Sequence, residues 1–292
     1  MSPSAPSHDL STTKKNLSRT SFRPLQGHRA LVTGASSGIG EQYARQLAAL
    51  GSDLVLAARR VDRLEKLALE LEKTHGIRAV AVATDLGRPG EGARLAKAVC
   101  LPDQPVTLLV NNAGIGPYAP FLETDVEKHL STIQLNVTAL TELTHHVATH
   151  MRSHGRPSYI SNVASIAAYQ ATPNFAVYGG TKHYVRLFSE VIRNELQNTN
   201  ISVSCLCPGG TYTEFLEKAG QQLKASGHAA MMPAAEVARQ GILGMLRNRA
   251  VVVPGLLNKI ACFLPRLVPT GFGIAVAGIA MRRSVSQVKA QP

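Results

Sequence analysis

The feature that most constrains this chain is its alternation of short apolar runs with amphipathic stretches. Runs at Ala30–Val32, Leu54–Ala57, Ala79–Ala83, Thr107–Val110, Ser158–Ser161, Ile201–Cys205 and Ala250–Val253 predict strands. The stretches between them predict helices that begin near Ile39, Arg60, Gly90, Asp125, Val177 and Ala234. A strand apolar at nearly every position must be covered on both faces. Repeated strand–helix units achieve this with a parallel sheet. Right-handed crossovers then give one doubly wound α/β domain of about seven strands, expected over residues 29–254. The stretch from Tyr212 to Met232, between the sixth strand and the next helix, is a candidate substrate lid.

The two ends differ from this body. The chain has 292 residues and a formal net charge of +12. Residues 1–28 carry Lys14, Lys15, Arg19 and Arg23 against Asp9; they are rich in Ser, Thr and Pro and read as a disordered basic tail. They hold no apolar run of the kind a secretory signal needs. Residues 255–292 carry Lys259, Arg266, Arg282, Arg283 and Lys289 with no acid. Within them the apolar run Leu267–Met281 contains Pro269 and three glycines and is short for a membrane span. Three readings stand for this extension, in this order: a wall of the substrate pocket, a subunit interface, or a peripheral contact with a membrane surface. Nucleic-acid binding would call for a basic, aromatic-bearing face on a folded module, and none is visible.

The first strand runs into Thr33-Gly34-Ala35-Ser36-Ser37-Gly38-Ile39-Gly40 and then a helix. Glycines let the backbone turn sharply and let a pyrophosphate approach. A helix N-terminus supplies free N–H groups and a favourable dipole. One Gly-rich turn also fits an ordinary strand–helix connection; its place in the first strand–helix unit favours a dinucleotide and a Rossmann-type sheet. An enzyme choosing NAD usually ends its second strand with an acid that bonds the ribose. Here Ala58 stands there and Arg59-Arg60 follow. A guanidinium grips a 2′-phosphate through two N–H bonds, so NADP(H) is expected, with Arg59 as main contact and Ser36 and Ser37 assisting.

Tyr178-Gly179-Gly180-Thr181-Lys182 puts a phenol and an ammonium on one helical face. A free tyrosine titrates near pH 10, and a neighbouring ammonium is expected to lower that value. Further motifs stand in order around this pair. Asn111-Asn112-Ala113-Gly114 follows the fourth strand, Asn136 lies in the next helix, and Ser165 follows the fifth strand. Pro208-Gly209 closes the sixth, with Thr213 beyond. From Arg29 to about Pro254 the chain resembles the short-chain dehydrogenase/reductase family, with its Thr-Gly-x-x-x-Gly-x-Gly, Asn-Asn-Ala-Gly and Ser…Tyr-x-x-x-Lys motifs.

The resemblance implies that Tyr178 exchanges a proton with the substrate oxygen and that Ser165 hydrogen-bonds that oxygen. It implies that Lys182 tunes Tyr178 and orients the nicotinamide ribose, and that Asn136 holds a water linking Lys182 to solvent. It implies cofactor contacts from Gly34, Gly38, Ile39, Gly40, Asp85, Leu86, Asn112, Ala113, Gly114, Pro208, Gly209 and Thr213. Ser161 is a rival for Ser165, which matches the family's offset from Tyr178. Gly179 and Gly180 weaken the helix start, and Ala164 stands where the family often has serine. The helix carrying Asn136 is usually a subunit contact in the family, which implies a homodimer or homotetramer.

His146, His150 and His154 recur at helical spacing beside His145, yet no carboxylate or cysteine completes a metal set, so no metal is expected. Cys100, Cys205, Cys207 and Cys262 lack zinc or disulfide spacing and suit a reduced, cytoplasmic setting. The expected function is an NADP(H)-dependent oxidoreductase acting on a carbonyl or secondary alcohol, its substrate apolar. The alternative is a non-catalytic NADP-binding regulator on the same fold.

Overall fold

The computed structural model describes residues 23–228 and 231–287. Its centre is a seven-stranded sheet, all pairs parallel. The strands are β1 (Arg29–Thr33), β2 (Asp53–Ala58), β3 (Ala79–Ala83), β4 (Leu108–Asn111), β5 (Ser158–Val163), β6 (Ile201–Leu206) and β7 (Val251–Val252). Their spatial order is β7-β6-β5-β4-β1-β2-β3. The order reverses between β1 and β4, and the crevice beyond the strand ends at such a reversal is where open α/β sheets bind ligands.

Side chains of each strand alternate between two cores. Ala30, Val32, Leu54, Leu56, Leu108 and Val110 enter one. Leu31, Val55, Ala57 and Leu109 enter the other. Helices α1 (Gly38–Ala49) and α2 (Val61–His75) cover the first face, together with α7 (Ala234–Leu246). Helices α3 (Glu91–Val99), α5 (Leu140–His154) and α6 (Ala176–Glu195) cover the second. Both faces being covered is why these strands read as continuous apolar runs. Fully burying one such leucine contributes about 2 kcal/mol.

Between α4 (Val126–Ile133) and α5 the helix continues through a π-helical turn, Gln134–Ala139. The expected helix starts lie within one residue of those observed. β7 is shorter than the run Ala250–Val253.

The ordered fold begins before residue 29. Residues 23–28, expected in the basic tail, form a turn whose Leu25 is buried in the first core. Leu25 N donates to Leu50 O at 3.0 Å, and His28 Nδ1 meets Thr107 Oγ1 at 3.0 Å. One leucine inside a polar stretch carries no periodic signal. The rest of that expected tail, residues 1–22, lies outside the described residues.

The C-terminal extension is helical: α8 (Leu256–Phe263), a 3-10 turn Leu264–Leu267, and α9 (Thr270–Ser284). Val285–Gln287 then pairs antiparallel with Gln221–Leu223 of the lid segment. No described helix is long and apolar enough to cross a membrane.

Candidate active site

The site forms at the C-terminal ends of β1, β4, β5 and β6. Thr33, last in β1, ties two of these ends together. Its hydroxyl accepts from Asn112 N at 3.0 Å and from Ala113 N at 3.1 Å, and donates to Val110 O. The Asn112 amide donates to Thr33 O at 3.0 Å and Gly34 O at 3.3 Å. A Cβ on Gly34 would meet the Asn112 amide at 2.8 Å, so the turn must be glycine there for space as well as for its φ of +64°. Gly38, also at positive φ, faces the Thr213 methyl, and a Cβ on Gly40 would strike Gly34 O. Ser37 is the N-cap of α1, and Ile39 follows Gly38 in its first turn. The expected phosphate turn, the Asn112-Ala113-Gly114 loop and Thr213 are thereby assembled around one helix N-terminus.

Arg60, not Arg59, lies across this turn. Its guanidinium donates to Ser36 Oγ at 3.1 Å and Ser37 Oγ at 3.0 Å, while Arg59 is exposed. Arg60 is the residue just before α2, and its side chain turns back over α1. Glu214, one residue beyond Thr213, holds Arg60 at 2.8 Å and also pairs with Arg63 and with Lys218. Lys218 first, then the two arginines, hold its carboxyl down to about 2. Asp85 bonds Gly87 N at 3.2 Å and lies 3.8 Å from Arg88, and Leu86 beside it is buried. Pro208 O accepts from Ile166 N at 2.9 Å, and Gly209 lies against the Asn258 amide of α8.

The four expected catalytic residues converge. Ser165 ends the loop after β5; its hydroxyl accepts from Ala167 N at 3.1 Å and interacts with the Tyr178 phenol. Ser161 is separated from them, its hydroxyl paired with Tyr43 OH at 3.1 Å. Lys182 lies one turn beyond Tyr178, and its Nζ donates to Val163 O at 2.8 Å. That Nζ stands 5.8 Å from the Tyr178 ring centroid. Asn136, in the π-helical turn, donates to Ile115 O at 2.8 Å and Thr181 Oγ1 at 3.0 Å and accepts from Ile115 N. Both of its amide hydrogens are committed, and Oδ1 keeps one lone pair. Asn136 Oδ1 and Lys182 Nζ both approach Gly114.

Burial, rather than the ammonium, governs Tyr178. Its phenol packs among Phe175, Phe215, Tyr118 and Val285 and is pushed up to about 12, with the Ser165 bond pulling the other way. The expected lowering by Lys182 is absent because the same burial lowers the lysine to about 8. A buried ammonium directed at a carbonyl is a weak neighbour for a phenol.

The lysine shift has a measurable consequence. The folded chain holds the Lys182 proton less tightly than the unfolded chain does. Unfolding therefore takes up a proton at Lys182 between about 8 and the ordinary 10.5, and the contribution of this residue to stability rises with pH across that window. The full span corresponds to about 3 kcal/mol. Lys182→Met is expected to lose this rise. Denaturation midpoints of both proteins followed across the window check it; parallel curves would defeat the assignment.

Two residues escaped the sequence reading. Gly116 lies so close to the Tyr178 ring that a Cβ there would overlap it. Its only sequence signal was proximity to the Asn-Asn-Ala-Gly motif. Glu214 carried no signal, because two of its three cationic partners, Arg60 and Arg63, lie far from it in the chain. The histidines find structural partners: Val106 N donates to His150 Nε2 at 3.3 Å, and His154 Nε2 meets Val106 O at 3.2 Å. No cluster able to hold a metal occurs among the described residues. All four cysteines are free. Asn111, first of its motif, is internal: its amide bonds Thr144 and Asn162.

The family model described as short chain dehydrogenase matches residues 28–224. Among solved structures, the chain is similar to a short-chain dehydrogenase from Sphingobium yanoikuyae in complex with NADPH. That likeness has 31% identity and a TM-score of 0.73, and covers 83% of this chain and 96% of that one. A hydroxynaphthalene reductase-like protein of Metarhizium anisopliae is 30% identical over 83% of this chain and 89% of its own. A very-long-chain 3-oxoacyl-CoA reductase of Meyerozyma guilliermondii is 34% identical over 61% of this chain, which spans about half that protein's length (54%). With the doubly wound sheet and the Ser165, Tyr178 and Lys182 cluster in place, the chain belongs to the short-chain dehydrogenase family of oxidoreductases.

Proposed function

We propose that the chain is an NADP(H)-dependent enzyme that moves a hydride between nicotinamide and the carbonyl or secondary alcohol carbon of an apolar substrate. The observation that carries this reading is the buried Ser165–Tyr178–Lys182 cluster, walled by aromatic and apolar side chains. The glycines at 34, 38 and 40 let the turn pack tightly against Asn112, Thr213 and its own backbone, and the α1 N-terminus supplies N–H groups for a pyrophosphate. The bound cofactor supplies the hydride. Tyr178 holds the proton for the substrate oxygen, and Ser165 donates a hydrogen bond to the charge that develops there. Lys182 and Asn136 position the nicotinamide ribose side of the site, with Asn136 as anchor for a water toward solvent. Asp85 and Leu86 flank the adenine. Phe175, Phe215, Tyr118 and, from the extension, Met281 and Val285 suit an apolar substrate. Relatives that are reductases agree in reaction class.

The choice of NADP(H) rests on Ala58 at the end of β2 and on Arg60 beside Ser36 and Ser37. These contacts move the expected 2′-phosphate partner from Arg59 to Arg60. NADPH should bind at least about tenfold more tightly than NADH, as one charge-assisted pair contributes about 1.5–3 kcal/mol. Arg60→Ala should erase that preference and Arg59→Ala should reduce it less. Glu214→Gln should sharpen it, because the carboxylate competes with a phosphate for Arg60. Fluorescence titration of both cofactors decides; equal affinities in the native protein would remove NADP(H) from this reading.

A further inference from the structure

Helix α9 is apolar on nearly every side, yet only Ala277 and Gly278 in it are buried. It rests on the domain through this strip, where a Cβ on Gly278 would come within 3.3 Å of Pro173. Phe272 is 61% exposed and Ile274 39%. In α8 and the 3-10 turn, Leu256 is exposed at 72%, Leu257 at 75% and Leu267 at 65%. A helix apolar all round belongs in apolar surroundings, and exposed apolar side chains this numerous in one extension mark a site of interaction. Its other side serves the site: Met281 and Val285 pack into the cluster that contains Tyr178.

The charges select the occupant. Along the chain, Lys259 and Arg266 precede α9 and Arg282 lies in its last turn, with no Asp or Glu anywhere in residues 255–292. Arg266 also stacks 5.6 Å above the Tyr169 ring, and Lys224 donates to Arg282 O at 2.7 Å. A second copy docked by symmetry through the extension would set Lys259, Arg266 and Arg282 against their own images, and residues 255–292 themselves hold no acid to answer them. An anionic bilayer answers both features, accepting the apolar side chains below its headgroups and the cations among them. The 15 residues of α9 extend about 22 Å, less than the hydrocarbon thickness, so the helix would lie along the surface.

We propose that α8, the 3-10 turn and α9 form a docking surface for an anionic membrane, which brings the Tyr178 site to the lipid boundary. The inference is independent of the reaction chemistry.

Flotation of the full-length protein tests it, with phosphatidylcholine vesicles and with vesicles containing about one-third phosphatidylserine. At low salt the protein should float with the anionic vesicles only, and about 0.5 M salt should weaken the binding. Lys259→Gln should lower the partition about fivefold, and Phe272→Ser with Ile274→Ser about tenfold or more. All three positions are exposed, and cofactor titration reports that the variants remain folded. Failure of the native protein to float with anionic vesicles at low salt overturns the proposal. So does flotation that survives the Phe272/Ile274 variant. A lipid-free dimer that this variant converts to monomer, with flotation unaltered, would assign the surface to a second copy. Equal retention of native protein and the Phe272/Ile274 variant on immobilised polyglutamate, with no flotation, would assign it to an acidic polypeptide.

Discussion

Tyr178→Phe is expected to lower kcat for a ketone by about 10³-fold while NADPH binding stays within about threefold. The substitution removes one oxygen and keeps the ring, whose neighbours Phe175 and Phe215 lie at 4.8 and 5.5 Å between centroids. The packing around the site therefore survives, and the loss reports on the proton alone. The hydroxyl that disappears is the one that interacts with Ser165. The free chain holds Tyr178 at about 12, so near neutrality it is a proton donor, suited to carbonyl reduction. Initial rates and a fluorescence titration, run on the same preparation, separate the two effects. A variant that turned over within tenfold of the native rate would remove Tyr178 from the mechanism.

Gly116→Ala is expected to lower kcat by about 100-fold, again with little change in cofactor affinity. The added methyl would overlap the Tyr178 ring, so either the ring or the loop after β4 must move. Phe175 and Phe215 flank the ring, and Tyr118 belongs to the same buried cluster, so it has little room to retreat. A displacement of about 1 Å from the reacting geometry suffices for such a loss. KM and kcat measured separately should show the fall in kcat. The glycine turn at Gly34–Gly40 and Arg60 lie on other segments of the chain, so NADPH affinity should fall far less than kcat. Native kcat in the variant would mean that the ring position is not critical.

Much of this molecule could be read from the chain before any coordinates. The strands were legible because burial on both faces makes each run apolar throughout, as Leu54–Ala57 and Leu108–Val110 are. The catalytic face was legible because Tyr178 and Lys182 are one helical turn apart, and helix geometry fixes such pairs locally. Other features depend on residues far apart in sequence. Arg60, which follows Arg59 in the chain, lies across the glycine turn because Ser36, Ser37 and Glu214 stand where its side chain reaches. Gly116 gained its role from a ring 62 positions later. The proton affinity of Tyr178 went up rather than down because an apolar cluster, including Val285 from the extension, closes over it. Leu25 joined the core because the turn between α1 and β2 offers it a seat beside Leu50. Sequence by itself determined what periodicity and short-range spacing encode: the doubly wound sheet, the glycine turn and the Ser-Tyr-Lys set. Tertiary structure alone decided which cation faces the turn, how burial sets the proton affinities and which apolar residues stay outside. Those are properties of distance and solvent exclusion, and they exist only once remote segments have packed.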